Sequence, residues 1–142
     1  MFLFGAGFAI AAAFTKTGMA AEVASYLISF STLPMILFLL LLATIVTFTT
    51  EITSNTALIS IMLPVLYQVA EQTGINATLI MLVATICASY AFMLPIATPP
   101  NAIAMSSGVI SIKRMASYGF IFNIVGIILI VTIAYFFWRP ML

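Results

Sequence analysis

The sequence predicts an all-α integral membrane protein, and three observations carry that reading. The 142 residues are 65% hydrophobic and 5% charged, with a mean hydropathy of +1.32. A soluble domain carries roughly a quarter charged residues and about half apolar ones. Four basic and three acidic side chains cannot cover a water-facing surface of this size. The apolar residues fall in runs of helical length, separated by short polar breaks. The last run, 115–138, is uninterrupted and ends in an aromatic cluster.

Taken in order, residues 1–16 read as a partial transmembrane helix, rich in Gly and Ala. Its small residues, Gly5 and Gly7, permit close helix packing in lipid. No basic flank precedes the run, so it lacks the mark of a secretory signal. Residues 19–30 read as an interfacial helix, with Met19, Val23, Tyr26, Leu27 and Phe30 at helical spacing. Residues 34–72 read as a re-entrant helical hairpin. Pro34 suits the first turn of its first arm, and Thr49 to Thr56 interrupt two arms of about 15 residues, roughly 22 Å each. A full crossing needs about 20 residues for a core of roughly 30 Å. Two arms with a polar tip at 50–56 therefore suit entry and exit on one side, while two tilted spans joined by a loop also fit the pattern.

Residues 78–109 read as a helix broken at 95–101, "PIATPPN", where three prolines cannot continue an α-helix. Backbone freed at membrane depth is tolerated only where protein or a water-filled cavity surrounds it. Residues 115–138 form the last span, with Tyr135, Phe136, Phe137 and Trp138 as an interfacial belt and Arg139 as anchor. Lys113 and Arg114 place the preceding loop in the cytoplasm by the positive-inside rule, and hence the C-terminus outside. The hairpin base then opens outside.

Several functional classes are excluded or disfavoured. One cysteine cannot form an internal disulfide, and the absence of histidine removes the usual transition-metal site and the histidine proton relay. A net charge of +1 gives no nucleic-acid signal. No nucleophile and base stand together, so an enzyme is not expected. The polar breaks supply instead hydroxyls and amides: Thr50, Thr53, Ser54, Asn55 and Thr56 in the first, Thr98 and Asn101 in the second, with freed carbonyls near Ala97 and Pro99. Hard cations take oxygen ligands, and anions take hydroxyl and amide donors at a helix N-terminus. Ser-Asn-Thr before a helix is ordinarily only a cap, and a Pro-Pro break ordinarily only a kink. Both together, between short apolar helices, match the discontinuous helices of secondary transporters. Glu51 has two readings: an intramembrane proton or cation relay, or, favoured, a carboxylate bound to nearby hydroxyls or amides that holds the hairpin together. Cys87 and the methionines read as packing, and Gly119 and Gly126 as a tight helix contact.

"TSNTA" at 53–57, "MLPV" after it, and "FMLPIATPPNAI" at 92–103 resemble the divalent-anion:sodium symporter family, and the resemblance extends over nearly the whole chain. It implies the second half of an inverted-repeat transporter, whose members are sodium-coupled carriers of dicarboxylates, citrate or sulfate. They work as homodimers by an elevator motion, in the plasma (inner) membrane. By this resemblance Ser54, Asn55 and Thr56 contact the substrate carboxylate with Thr98 and Pro99. Sodium, the coupling ion, takes oxygens from Thr50, Thr53, Asn55, Ala97 and Pro99. No organic cofactor is implied. The first hairpin and its Ser-Asn-Thr have no counterpart here, so the chain is expected to be a fragment, a truncated gene or part of a split carrier, inactive without an N-terminal half. A proton-coupled carrier or antiporter is the alternative within transport, and a non-transporting membrane subunit the alternative outside it.

Overall fold

The structure, a computed structural model, describes residues 9, 12–13, 16–30 and 32–142. Most of the expected first segment, 1–16, lies outside them. The described residues are helical with no strand. In chain order the helices are α1 (Met19–Ile28), α2 (Met35–Thr50), α3 (Asn55–Thr73), α4 (Ala77–Cys87), α5 (Pro99–Ser106) and α6 (Ile112–Ile133). A π-helical turn, Ala134–Trp138, prolongs α6. Its wider ring is closed by the Arg139 amide donating to the Ala134 carbonyl at 2.9 Å.

Local chemistry sets most boundaries. Pro34 precedes α2 in an extended conformation that a proline tolerates. Gly74 ends α3 in the left-handed region (φ 72°), which glycine enters without strain, and its amide donates to Ala70. The side chain of Asn76 caps α4 by accepting from the Leu79 amide at 3.1 Å. Along the helices the hydroxyls of Thr44, Thr73, Thr85, Ser117 and Thr132 donate to the carbonyl four residues earlier. Pro64, inside α3, removes one such backbone donor.

Helix α4 is the centre of the core. It packs against α2, α3 and α6, and its Leu79, Ile80, Val83, Ala84 and Cys87 are buried among Leu39, Leu42 and Val46 of α2, Val65, Leu66 and Val69 of α3, and Ile127, Ile130 and Val131 of α6. The two arms α2 and α3 therefore enclose α4 more than they touch each other. α1 lies on α3 and buries Ala24, while Met19, Val23, Tyr26 and Phe30 are exposed. From Ile112 to Trp138 the last helix runs 27 residues, long and apolar enough to cross a membrane.

Two polar interruptions differ from their expected bounds. The hairpin tip is narrower, with only 51–54 outside the helices. The second interruption begins earlier, spanning 88–98 rather than 95–101. Pro99 and Pro100 are not part of it: they open α5 at its first two positions, where a missing N–H costs nothing. Helicity stops at Cys87 because the backbone of 91–94 finds partners elsewhere, as described next.

Candidate functional site

The tip folds from the C-terminus of α2. Ile52 donates its amide to Thr49 at 3.2 Å, and the Thr53 hydroxyl donates to the same carbonyl at 2.8 Å. Ser54 then turns extended (φ −67°, ψ 128°) and stands at the N-cap of α3. Its side chain makes no capping hydrogen bond. The amides of Asn55, Thr56 and Ala57 have no acceptor within their own helix, so α3 presents an uncapped, electropositive N-terminus. Ser54, Asn55 and Thr56 are all partly exposed there.

The second interruption approaches this tip. Ile52, Thr53, Ser54, Asn55 and Thr56 line one open cavity with Ile96, Ala97, Thr98 and Pro99, about 420 Å³ in volume. A larger groove of about 670 Å³ lies beside it along α5; its lining, Pro95, Ile96, Thr98, Pro99, Ala102, Met105 and Ser106, is mostly apolar and takes no residue from the tip at 51–56. Only the first cavity brings ligand groups from both interruptions together. The two sides differ chemically. α3 offers amides and hydroxyls, whereas α5 opens with two prolines that have no N–H. The α5 side therefore has the Thr98 hydroxyl, which makes no capping bond, and backbone carbonyls to offer, the Thr98 carbonyl itself accepting from the Ala102 amide at 3.2 Å.

Thr50 does not line the cavity. It is fully buried behind Asn55, with its hydroxyl 2.6 Å from Asn55 Oδ1 and 2.8 Å from the Ala88 carbonyl. One hydroxyl proton cannot serve two acceptors. Turning the Asn55 amide by 180° gives a consistent relay, with Asn55 Nδ2 donating to Thr50 and Thr50 donating to Ala88. Of the expected site residues, the structure thus gathers Ser54, Asn55, Thr56, Thr53, Ala97, Thr98 and Pro99 about one space and sets Thr50 one layer behind.

The second interruption is held by side chains whose part in this support was not read from the sequence. Glu51, 3% exposed, is the one buried acid among the described residues. Its Oε1 accepts from the amides of Phe92 at 2.9 Å and Met93 at 3.0 Å, and Oε2 from Met93 at 3.1 Å and Leu94 at 3.1 Å. Glu51 therefore holds the second interruption rather than its own tip. Asn123 of α6, fully buried, donates Nδ2 to Oε1 at 2.7 Å. Asn101 serves the opposite polarity, donating Nδ2 to the carbonyls of Ala91 at 2.7 Å and Leu94 at 3.0 Å. Backbone amides go to a carboxylate and carbonyls to an amide group, which satisfies the polar backbone of the unwound segment.

The last helix completes the cradle. Gly119, Asn123 and Gly126 fall on one face at spacings of four and three. A Cβ at Gly119 would meet Phe92 O and lie 2.6 Å from Met93 Cα, and one at Gly126 would lie 2.7 Å from the Tyr90 ring. The expected glycine contact is real, but its partner is the unwound segment, not a helix. A small–Asn–small stripe in an otherwise apolar span was the available signal.

The whole chain, residues 1–142, matches the model of the sodium:sulfate symporter transmembrane region. The chain belongs to this family. It is 39% identical over 142 residues to a sodium-dependent dicarboxylate transporter, SdcS, of Staphylococcus saprophyticus, covering all of this chain and 27% of that relative. It is also 39% identical over 128 residues to Na(+)/dicarboxylate cotransporter 3 of Rattus norvegicus, covering 90% of this chain and 21% of that protein. The chain thus spans about a quarter of the length of these curated relatives. Membership of a transmembrane transporter family makes this chain part of a multi-pass membrane protein, in keeping with its composition.

Proposed function

We propose that this chain is the C-terminal half of a sodium-coupled importer of dicarboxylates, tricarboxylates or sulfate, working by an elevator-type alternating-access motion. The observation that carries this reading is the shared cavity of about 420 Å³ between the uncapped tip of α3 and the segment Ile96–Pro99. A substrate carboxylate meets the amides and hydroxyls of Ser54, Asn55 and Thr56, aided by Thr98 and Pro99. Helix N-termini bind anions in this way without a basic residue. Sodium takes its oxygens from Thr53, Asn55, Ala97 and Pro99, with Thr50 aligning Asn55 from behind and joining the set if its hydroxyl turns. No organic cofactor takes part, and the chain performs no covalent chemistry.

Sodium is favoured over a proton because the buried acid is already engaged. Both oxygens of Glu51 act only as acceptors, the habit of the carboxylate form, which leaves it poorly placed to exchange a proton with the cavity. In this reading α2 and α3 form a re-entrant hairpin, and α1 lies at the lipid interface. The Lys113–Arg114 loop is cytoplasmic and the C-terminus external. An N-terminal half supplies the other tip, the complete carrier is a homodimer, and the lone chain does not transport.

The test replaces the matching stretch of the Staphylococcus saprophyticus transporter with this chain and follows succinate uptake into proteoliposomes. Uptake driven by a sodium gradient, lost in choline, and competed by sulfate or citrate according to selectivity, is the expected outcome. Uptake that persists in choline and follows a proton gradient refutes sodium coupling. Uptake unaffected by Ser54→Ala and Asn55→Ala removes the cavity from the substrate path.

A further inference from the structure

The residues that line the cavity are tethered to it by short leads. Ser54 lies three positions after Glu51, and Ala97 three positions after Leu94. An extended chain covers at most about 3.5 Å per residue, so each ligand segment lies within roughly 10 Å of the point where Glu51 grips the strand. Any slip of 92–94 against Glu51 is passed to the cavity with little slack. Two features show that the grip is built for this place. Glu51 comes from the hairpin, Asn123 from the last helix, and they meet on a third segment. Asn123 Oδ1 is buried with no partner, so the Nδ2 bond to Glu51 alone orients that side chain. The opposite amide rotamer would set oxygen against oxygen.

We propose that Glu51 and Asn123 are a positioning pair that fixes the register of the hairpin tip against the unwound segment, so that the groups of both tips assemble as one site. Glu51 acts through Phe92, Met93 and Leu94 and touches neither sodium nor substrate. This deepens the sodium-coupled reading and rests on it for its functional half.

Two measurements test it. The first is amide hydrogen exchange of the chain in lipid nanodiscs, comparing Phe92–Leu94 with the α6 core at Ile127–Ile130. Glu51→Gln removes the ionised acceptor, and exchange at 92–94 should rise about tenfold or more relative to 127–130, the loss expected for a charge-assisted hydrogen bond. Glu51→Asp keeps the carboxylate on a shorter arm and should fall between. The second is succinate uptake by the chimeric carrier. Glu51→Gln should raise the half-saturating sodium concentration about tenfold, while the maximal rate at saturating sodium stays within about threefold. Glu51→Asp should recover part of the sodium affinity.

Unchanged exchange at 92–94 in Glu51→Gln overturns the proposal. So does loss of uptake at every sodium concentration with unchanged exchange, which would make Glu51 a direct ligand or proton carrier. If Glu51→Gln speeds exchange everywhere, the local comparison in Glu51→Asp decides. If the unaltered chimera takes up nothing, the carrier reading fails, and exchange alone decides the clamp.

Discussion

Replacing Gly119 by alanine should do damage out of proportion to one methyl group. The new Cβ would stand 2.5 Å from Phe92 C and 2.6 Å from Met93 Cα. Ordinary carbon contacts begin near 3.4 Å, so the strand must retreat by roughly 0.8 Å, or the helix must. Every obstructing atom is backbone, with no side chain to swing aside. The strand is also tied down by Glu51, and stretching amide bonds of 2.9–3.1 Å by that amount takes them beyond hydrogen-bonding range. Overpacking alone costs about 1–3 kcal/mol, and each charge-assisted bond lost adds about 1.5–3 kcal/mol. The cheaper compromise, part strain and part loss, comes to about 2–4 kcal/mol. For a chain of this size that is a fall of roughly 5–12 °C in Tm, read by thermal unfolding in detergent or nanodiscs. Gly126→Ala is the control: its Cβ meets the Tyr90 ring at 2.7 Å, and the ring can rotate, so its cost should be smaller by about 1 kcal/mol or more. Gly119→Ala as stable as the native chain, or no worse than Gly126→Ala, refutes the cradle.

Other substitutions probe separate links. Asn101→Asp turns a donor to Ala91 and Leu94 into an acceptor facing two carbonyls, and should cost about 2–4 kcal/mol in unfolding measurements. Thr50→Val keeps shape but leaves the buried Ala88 carbonyl without its hydroxyl. It should cost about 1–2 kcal/mol and raise the half-saturating sodium concentration of uptake through the loss of Asn55 alignment. Asn76→Ala removes the cap of α4 and should cost about 1 kcal/mol by the same unfolding assay, with no change in sodium dependence.

The helices were legible because each apolar run imposes its own element. In the structure these are α2, α3, α4 and the long α6. The polar composition of the two tips was legible too, because hydroxyls stand out in apolar surroundings. The extent of the second interruption was not. Residues 88–94, "ASYAFML", carry no breaker and would serve well in a helix. What unwinds them is tertiary: Glu51, 41 residues upstream of Phe92, takes the amides, and Asn101 takes the carbonyls. The prolines that drew attention to this region begin the next helix instead. Glu51 was read as a local brace, since sequence shows an acid near a tip but not which backbone it will meet. Thr50 was grouped with the ligands by its place beside Ser-Asn-Thr, yet helix periodicity turns it inward to Ala88.

The central claim is that both interruptions face one ligand space. It is tested most directly by thiol protection in the chimeric carrier with Cys87→Ser. Thr56→Cys on the hairpin and Thr98→Cys on the second interruption should both react with a polar maleimide. Both should be protected at least about fivefold by sodium and succinate together, a shift within the range expected for ligand linkage, and by neither in choline. Ser107→Cys, on the exposed loop after α5, should react without protection. Protection at one tip alone, or equally at Ser107→Cys, would contradict a shared site.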